Sequence, residues 1–322
     1  MDALVKTKRR KRYERTPTGR RITPSDYEGV WFQKLHEHGP LTTSYLYEYT
    51  KDLVPSLSTV KHRLGFLFHE TDTPNGGAYL GRPVDQKRQA KHLEEIHEND
   101  GPAEEYLKAH GLIPHTAVPT KDTNFPHRFM ASCITASIEL GCRERGLTFV
   151  SGQELLARSP TGTLKLPATF SYKGRLYTIP IVPDGYFGIR YQDGSVRAFL
   201  VEADRGTEPI ERADMENQRS YLRKILQYQS LLTRRSGEPP AYRTLLGIQS
   251  GLVVLNCTNN YRHMESMMAA VMRETERRGS TFMLFKPLPV FADKFAVPPV
   301  LTELLTTPWR RAGHAELDIS KP

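Results

Sequence analysis

The residues best suited to chemistry lie in two short stretches, Ile181-Val182-Pro183-Asp184-Gly185 and Phe199-Leu200-Val201-Glu202-Ala203-Asp204-Arg205-Gly206-Thr207-Glu208. Glu202 and Asp204 are two positions apart, so a strand carries both on one face. The run before them, from Ala198 to Val201, is apolar. Carboxylates on a strand that begins in the core are costly unless something positive sits between them. Asp184 falls near the start of a neighbouring strand. Three convergent carboxylates make a hard oxygen site suited to Mg²⁺, and an ion held there activates water and stabilises the charge of phosphodiester cleavage. The same residues also admit a structural reading, in which the acids pair with Arg205, Arg212 or Arg219 and only hold the fold.

One turn decides whether the acids meet. Asp193-Gly194 separates the strand-like runs 180–191 and 196–204 and signals a hairpin. A two-residue turn pairs Gln192 with Ser195 and sets Asp184 opposite Ala203, on the wrong face. A three-residue loop of Gln192, Asp193 and Gly194 pairs Tyr191 with Ser195 and sets Asp184 opposite Glu202. The second register is the expected one, with Asp204 beside the pair and Lys224 approaching from the following helix.

The elements that must position these groups follow from periodicity and punctuation. A helix is expected over 127–145 and ends at Gly146. Strand-like runs flank Lys173-Gly174, and a long helix is expected over 211–232. Strands near 252–256 and 281–285 bracket a helix over 261–277, and a Pro-rich, irregular tail follows from Lys286. The order α-β-β-β-α-β-α-β fits a mixed sheet with helices on its faces. Upstream, Pro24-Ser25-Asp26, Thr42 or Thr43, and Ser56 or Ser58 open three helical patterns. Thr73-Pro74-Asn75-Gly76-Gly77 and a short strand at 78–80 come next. Three helices followed by a Gly-rich hairpin is the winged helix-turn-helix order. The helix over 56–69 is then the DNA-reading one, with Lys61, Arg63 and His62 as contacts and Asn75-Gly76-Gly77 as the wing tip. Trp31, Leu35, Leu46, Val60, Leu64 and Leu67 are its expected core.

The fold class is therefore α+β: a winged helix-turn-helix, then a mixed-sheet α/β domain. Its parts are a disordered basic arm over 1–21, the winged helix over 22–82, linker helices over 83–123, the larger domain over 124–290 and a tail over 291–322. The arm includes Arg9, Arg10 and Arg12 against only Asp2 and Glu14; such a run does not fold alone and suits DNA phosphates or simple solubility. The formal net charge of +9 favours a polyanionic partner. No run of apolar residues is long enough for a membrane span, and the charged N-terminus lacks a signal core, so the expected location is cytoplasmic. Cys133, Cys142 and Cys257 are an odd number without CxxC spacing and read as reduced thiols.

Pro183-Asp184 and Glu202-Ala203-Asp204 resemble the two half-motifs of the PD-(D/E)XK nuclease superfamily, whose fold is that of restriction endonucleases. Asp204 stands where that superfamily has its lysine, and Lys224 is the candidate migrated amine. The resemblance implies that Asp184, Glu202, Asp204 and Lys224 are catalytic, that Asp184, Glu202 and His127 bind metal, and that Gln218 supports them. A more specific resemblance is to the replication-relaxation family of plasmid and mobile-element proteins. It rests on His127, Pro183-Asp184-Gly185, the run from Glu202 to Glu208, and Lys224 followed by Tyr228; Arg205 and Tyr228 enter as supporting residues. That resemblance implies double-stranded DNA as partner, a role in replication or mobilisation, and a nuclease-like domain whose activity the displaced lysine leaves open. Mg²⁺ is the one cofactor it admits, and a second copy of the chain or replication and mobilisation proteins are candidate partners. The alternatives are a Mg²⁺-dependent endonuclease or nickase, and a winged-helix transcriptional regulator.

Overall fold

In the computed structural model, residues 11–89, 93–113, 125–234, 237–293 and 298–322 are described, and the chain divides into two units, 1–117 and 118–322. In the first unit, helix α1 (Asp26–His38) begins with a capping box: Glu28 reaches back to accept the Ser25 N–H at 2.8 Å, satisfying a donor that the helix leaves free. Strand β1 (Leu41–Thr42), α2 (Thr43–Thr50) and α3 (Leu57–His69) follow, the last capped by Ser56, whose hydroxyl accepts from the Thr59 N–H. Then come β2 (Leu80–Gly81), α4 (Val84–Gln89), β3 (Ile96–Asn99) and α5 (Gly101–Ala109). The strands form an antiparallel sheet in the order β1-β3-β2. Trp31, Leu35, Leu46, Val60, Leu64 and Leu67 are all buried, and the Trp31 indole N–H donates to Leu46 O and Thr50 Oγ1.

Three expectations for this unit are corrected. Asn75-Gly76-Gly77 lies between α3 and β2, so the sheet's hairpin connection is instead 82–95, between β2 and β3. The segment assigned to linker helices supplies β3, which pairs with both other strands, and α5, which buries Ala103, Tyr106 and Leu107. The basic arm is ordered over 11–21. Arg15 donates to Phe68 O and Leu80 O, Thr18 donates twice to the buried Glu70, and the Ile22 N–H reaches Asp72 O. A carbonyl in the last turn of α3 and a buried carboxylate both need donors, and this segment brings them.

The second unit opens with α6 (Phe125–Arg145), β4 (Thr148–Ser151) and α7 (Gly152–Ala157). A separate two-stranded hairpin follows, β5 (Thr169–Tyr172) with β6 (Arg175–Thr178). Next are β7 (Gly185–Arg190), β8 (Val196–Asp204), α8 (Tyr221–Leu232), α9 (Ala241–Leu246), β9 (Leu252–Thr258), α10 (Tyr261–Glu274) and β10 (Met283–Pro287). The chain ends in β11 (Trp309–Arg311) and β12 (His314–Leu317). Among the described residues the main sheet has seven strands in the order β12-β11-β10-β9-β8-β7-β4. It is mixed: β8 runs parallel to β9 and β9 to β10, and the other neighbours are antiparallel.

Two more expectations change here. The tail from Lys286 is not irregular throughout, since β11 and β12 extend the sheet from β10 and bury Trp309. The helix expected over 211–232 begins only at Tyr221, because Ser220 caps it and Asp214 accepts the N–H groups of Glu216 and Asn217 in a turn of its own. Alternation along β8 puts Ala198, Leu200, Glu202 and Asp204 on one face. On that face Leu200 packs with Tyr221, Ile225 and Tyr228 of α8 and Met264 of α10 in one apolar cluster. The two acids thus extend a core-facing row beneath α8.

Candidate active site

The β7–β8 connection is the three-residue loop. The Tyr191 N–H donates to Ser195 O at 2.9 Å, and Gly194 takes the left-handed conformation that closes the turn, with φ 82°. Gly185 pairs with Val201, so Asp184 stands opposite Glu202. Gly185 has a packing reason as well: a Cβ there would lie 3.1 Å from Thr135 Cγ2 of α6 and 3.2 Å from Val201 Cβ. Without it, β7 starts flush between helix and strand and carries Asp184 to its place.

Three helices bring partners to the acids. From α6, His127 Nε2 lies 2.7 Å from Asp184 Oδ2, which also accepts the Ala203 N–H at 3.0 Å. From α8, Lys224 Nζ lies 2.7 Å from Glu202 Oε2 and 2.8 Å from Glu208 Oε2. Tyr228, one turn on and therefore on the same face, donates its hydroxyl to Glu202 Oε1. From α10, His263 Nε2 lies 2.7 Å from Asp204 Oδ2, while Asp204 Oδ1 accepts the Gly206 N–H. Asn256, beside Glu202 on β9, accepts a hydrogen bond from the Tyr221 hydroxyl. The acids find their partners in Lys224 and the two histidines, while Arg205 donates to a backbone oxygen, Phe291 O.

The electrostatics follow from burial opposed by these contacts. Glu202 is 2% exposed, and desolvation raises its carboxyl against the pull of Lys224, with the Asp184 charge adding to the rise. Burial would raise Asp184 too, but the hydrogen bond and charge of His127, then Lys224 and the Ala203 N–H, hold it below the ordinary carboxylate value. Lys224 is buried, which favours the neutral amine, yet Glu202, Glu208 and Asp184 together hold its pKa well above that of a free lysine. It is therefore a fixed cation and a hydrogen-bond donor, not a base. The hydrogen bond to Asp204 raises His263, and His263 in turn helps hold Asp204 low against burial.

Asp184 with His127, Glu202 with Lys224 and Tyr228, and Asp204 with His263 are thus three bonded groups, coupled to one another through charge. His263 and the ion pair of Glu208 were not anticipated; Glu208 sits in the motif run, but nothing local marks His263, 59 residues from Asp204. Gln218 is exposed in the turn before α8, not on the helix. Asp184 and Glu202 are ligands of the kind a small hard cation takes, but both Glu202 oxygens and Asp184 Oδ2 already carry protein partners. His127 does not join them as a third ligand. Its ring nitrogen is spent on Asp184, and no trio of His, Cys, Asp or Glu drawn from the described residues of this unit has its ligand atoms all within 4.8 Å of one another.

In the first unit, Lys61 and His62 lie exposed on α3. Arg63 does not: its guanidinium holds the fully buried Glu28 in a two-point ion pair at 2.7 and 2.9 Å. A buried carboxylate needs such a partner, so Arg63 is committed inward. Arg12 likewise donates to Leu93 O and pairs with Glu95; Arg9 and Arg10 lie outside the described residues. All three cysteines are buried and free, and burial pushes the Cys142 and Cys257 thiols up to about 12. No helix among the described residues is long and apolar enough to cross a membrane. No family model, curated protein or solved structure matches this chain.

Proposed function

We propose that the chain is a DNA-binding protein of a plasmid or other mobile element, acting in replication or mobilisation, whose second unit cleaves or nicks DNA at a PD-(D/E)XK-like site. One observation carries the cleavage reading: Asp184 and Glu202 stand opposite each other on adjacent strands, with the Lys224 ammonium 2.7 Å from Glu202. The helix-strand order α6-β4-β7-β8-α8-β9, antiparallel through β8 and then parallel, supports a restriction-endonuclease-like core. The first unit supports a winged helix by its order α1-β1-α2-α3-β2-β3 and its sheet order β1-β3-β2; α3 is then the element that enters the major groove.

Asp184 and Glu202 would hold Mg²⁺, which supplies a water nucleophile and charge neutralisation at the phosphate when bound. His127 orients Asp184, and Tyr228 fixes the rotamer of Glu202. Lys224 remains protonated and donates hydrogen bonds, so it stabilises negative charge developing at the phosphate or orients the attacking water. Incubating supercoiled plasmid with Mg²⁺ or Mn²⁺ tests this reading: the full chain nicks or linearises it, and Asp184→Ala does not. An unmodified chain that binds duplex DNA but leaves plasmid intact with either metal removes the cleavage reading. What remains is an accessory DNA-binding role, which the commitment of both Glu202 oxygens to Lys224 and Tyr228 also suits.

A further inference from the structure

The β5–β6 hairpin is used by nothing described so far. It forms its own two-stranded sheet, joined by Lys173-Gly174 with φ of 48° and 76°, the tight turn whose twist matches paired strands. Phe170 anchors it, buried and stacked on Tyr177. Its turn end is basic and aromatic: the Lys173 ammonium sits over the Tyr172 ring and the Arg175 guanidinium over Tyr177. Leu176, paired with Ser171 on the other face of the hairpin, is 69% exposed. Residues 155–183 contain Arg158, Lys165, Lys173 and Arg175 and no acidic residue, in a chain with 36 acids.

The base of the hairpin is tied to the active-site helix. Gln227 of α8, between Lys224 and Tyr228, donates to Ile179 O at 3.0 Å and Pro180 O at 3.3 Å. From there the chain runs through Ile181, bridged to Leu166, directly to Asp184. The same helix that holds the Glu202 carboxylate therefore holds the hairpin.

We infer that the β5–β6 hairpin is a second DNA-contacting element, gripping the phosphate backbone of the duplex through Lys173 and Arg175 and setting that duplex over Asp184 and Glu202. This rests on the DNA-cleavage reading above and names how its substrate is held. The charge is complementary, and the aromatic rings hold both cations in place before DNA arrives. Two acids oppose: Arg175 pairs with Glu216 at 3.0 Å, with side chains 67% and 58% exposed, and its charge also reaches Asp214. A pair so exposed is weak and screened by salt, and Arg175 exchanges it for phosphate.

The test is binding of the full chain to a fluorescent duplex over a series of salt concentrations. Each phosphate contact adds about 0.9 to the slope of log K against log salt, so the Lys173→Ala, Arg175→Ala double variant should give a slope shallower by about 1.8. Glu216→Gln should bind more tightly than the unmodified chain. Arg278→Ala removes a cation that is 78% exposed on another element and should leave the slope as it is. An unmodified chain that binds, with a double variant of identical slope, overturns the hairpin's role and leaves the DNA reading standing. A control that flattens the slope as much as the double variant also overturns it, since net charge then explains the effect. Absence of duplex binding by the unmodified chain overturns both.

Discussion

Lys224 shows how one residue can set the character of a site. It sits between two carboxylates and is largely shielded from water, with side-chain exposures of 17% for the lysine, 3% for the buried Glu202 and 15% for Glu208. Removing one partner of a buried pair strands the other charge. Lys224→Met should therefore lower stability by about 3–5 kcal/mol in urea unfolding; an unchanged midpoint would mean that the pair contributes nothing net. Asp204 and His263 make a pH-dependent pair. His263 is raised in the fold, so its contribution is complete below about pH 6.5 and is lost as pH rises through its folded value. Asp184 and Asp204 are depressed, so theirs is present above about pH 3.9 and is lost as pH falls through their folded values. In EDTA the stability of the chain should decline from pH 6.5 upward more steeply than that of His263→Gln. Parallel curves for the two proteins would show that the Asp204 contact is not what raises the imidazole.

At the scale of elements, the two units are assembled by different devices. In the first, α3 is a buried ridge with Val60, Leu64 and Leu67 inaccessible to solvent. Leu64→Ala should cost about 2–5 kcal/mol, read from denaturant unfolding with the slope unchanged; a loss well under that range would mean the neighbouring helices close the cavity. In the second, α8 does two jobs on one face. Tyr221, Ile225 and Leu231 pack inward, and Lys224 and Tyr228 meet Glu202 where that row of the sheet turns acidic. The register between β7 and β8 is the device on which the site depends. One residue of slip would move Asp184 across the sheet, and the left-handed Gly194 in a three-residue loop fixes the alignment.

For the molecule as a whole, the formal net charge of +9 favours association with a polyanion, and the basic arm proposed to touch DNA is in part structural. Residues 11–21 are bonded into the first unit through Arg15 and Thr18. On the proposed DNA reading, deleting 1–10 should flatten the salt dependence of DNA binding, and its unfolding midpoint is the reference for the longer truncation. Deleting 1–21 should lower that midpoint as well, because Glu70 and a carbonyl in the last turn of α3 lose their donors. Equal midpoints for the two truncations would show that the contacts of 11–21 do not stabilise the unit, and an unchanged salt slope in both would remove the arm from DNA binding.

Much of this was written locally. Ser25 with Glu28 and Ser56 with Thr59 mark helix starts by hydrogen bonds that span three residues. Asp193-Gly194 marks a hairpin, and the apolar run into Glu202 marks a buried strand with charges at its end. The spacing of Glu202 and Asp204 already put both on one face, and Lys224 and Tyr228 shared a helical face by the same kind of periodicity. Local sequence allowed two hairpin registers, and the three-residue loop closed by the left-handed Gly194, with β7 packed flush against α6 and β8 at Gly185, is the one that joins Asp184 to Glu202. It left β11 and β12 unreadable, because short polar strands carry no alternation and exist only by pairing with the edge of β10. It gave Arg63 to a ligand, whereas burial of Glu28 turned that guanidinium inward. His263 could not be found from its neighbours at all. Its role exists only because parallel pairing of β8 with β9 brings the start of α10 beside Asp204, and contacts between residues far apart in the chain are set by the fold that closes around them.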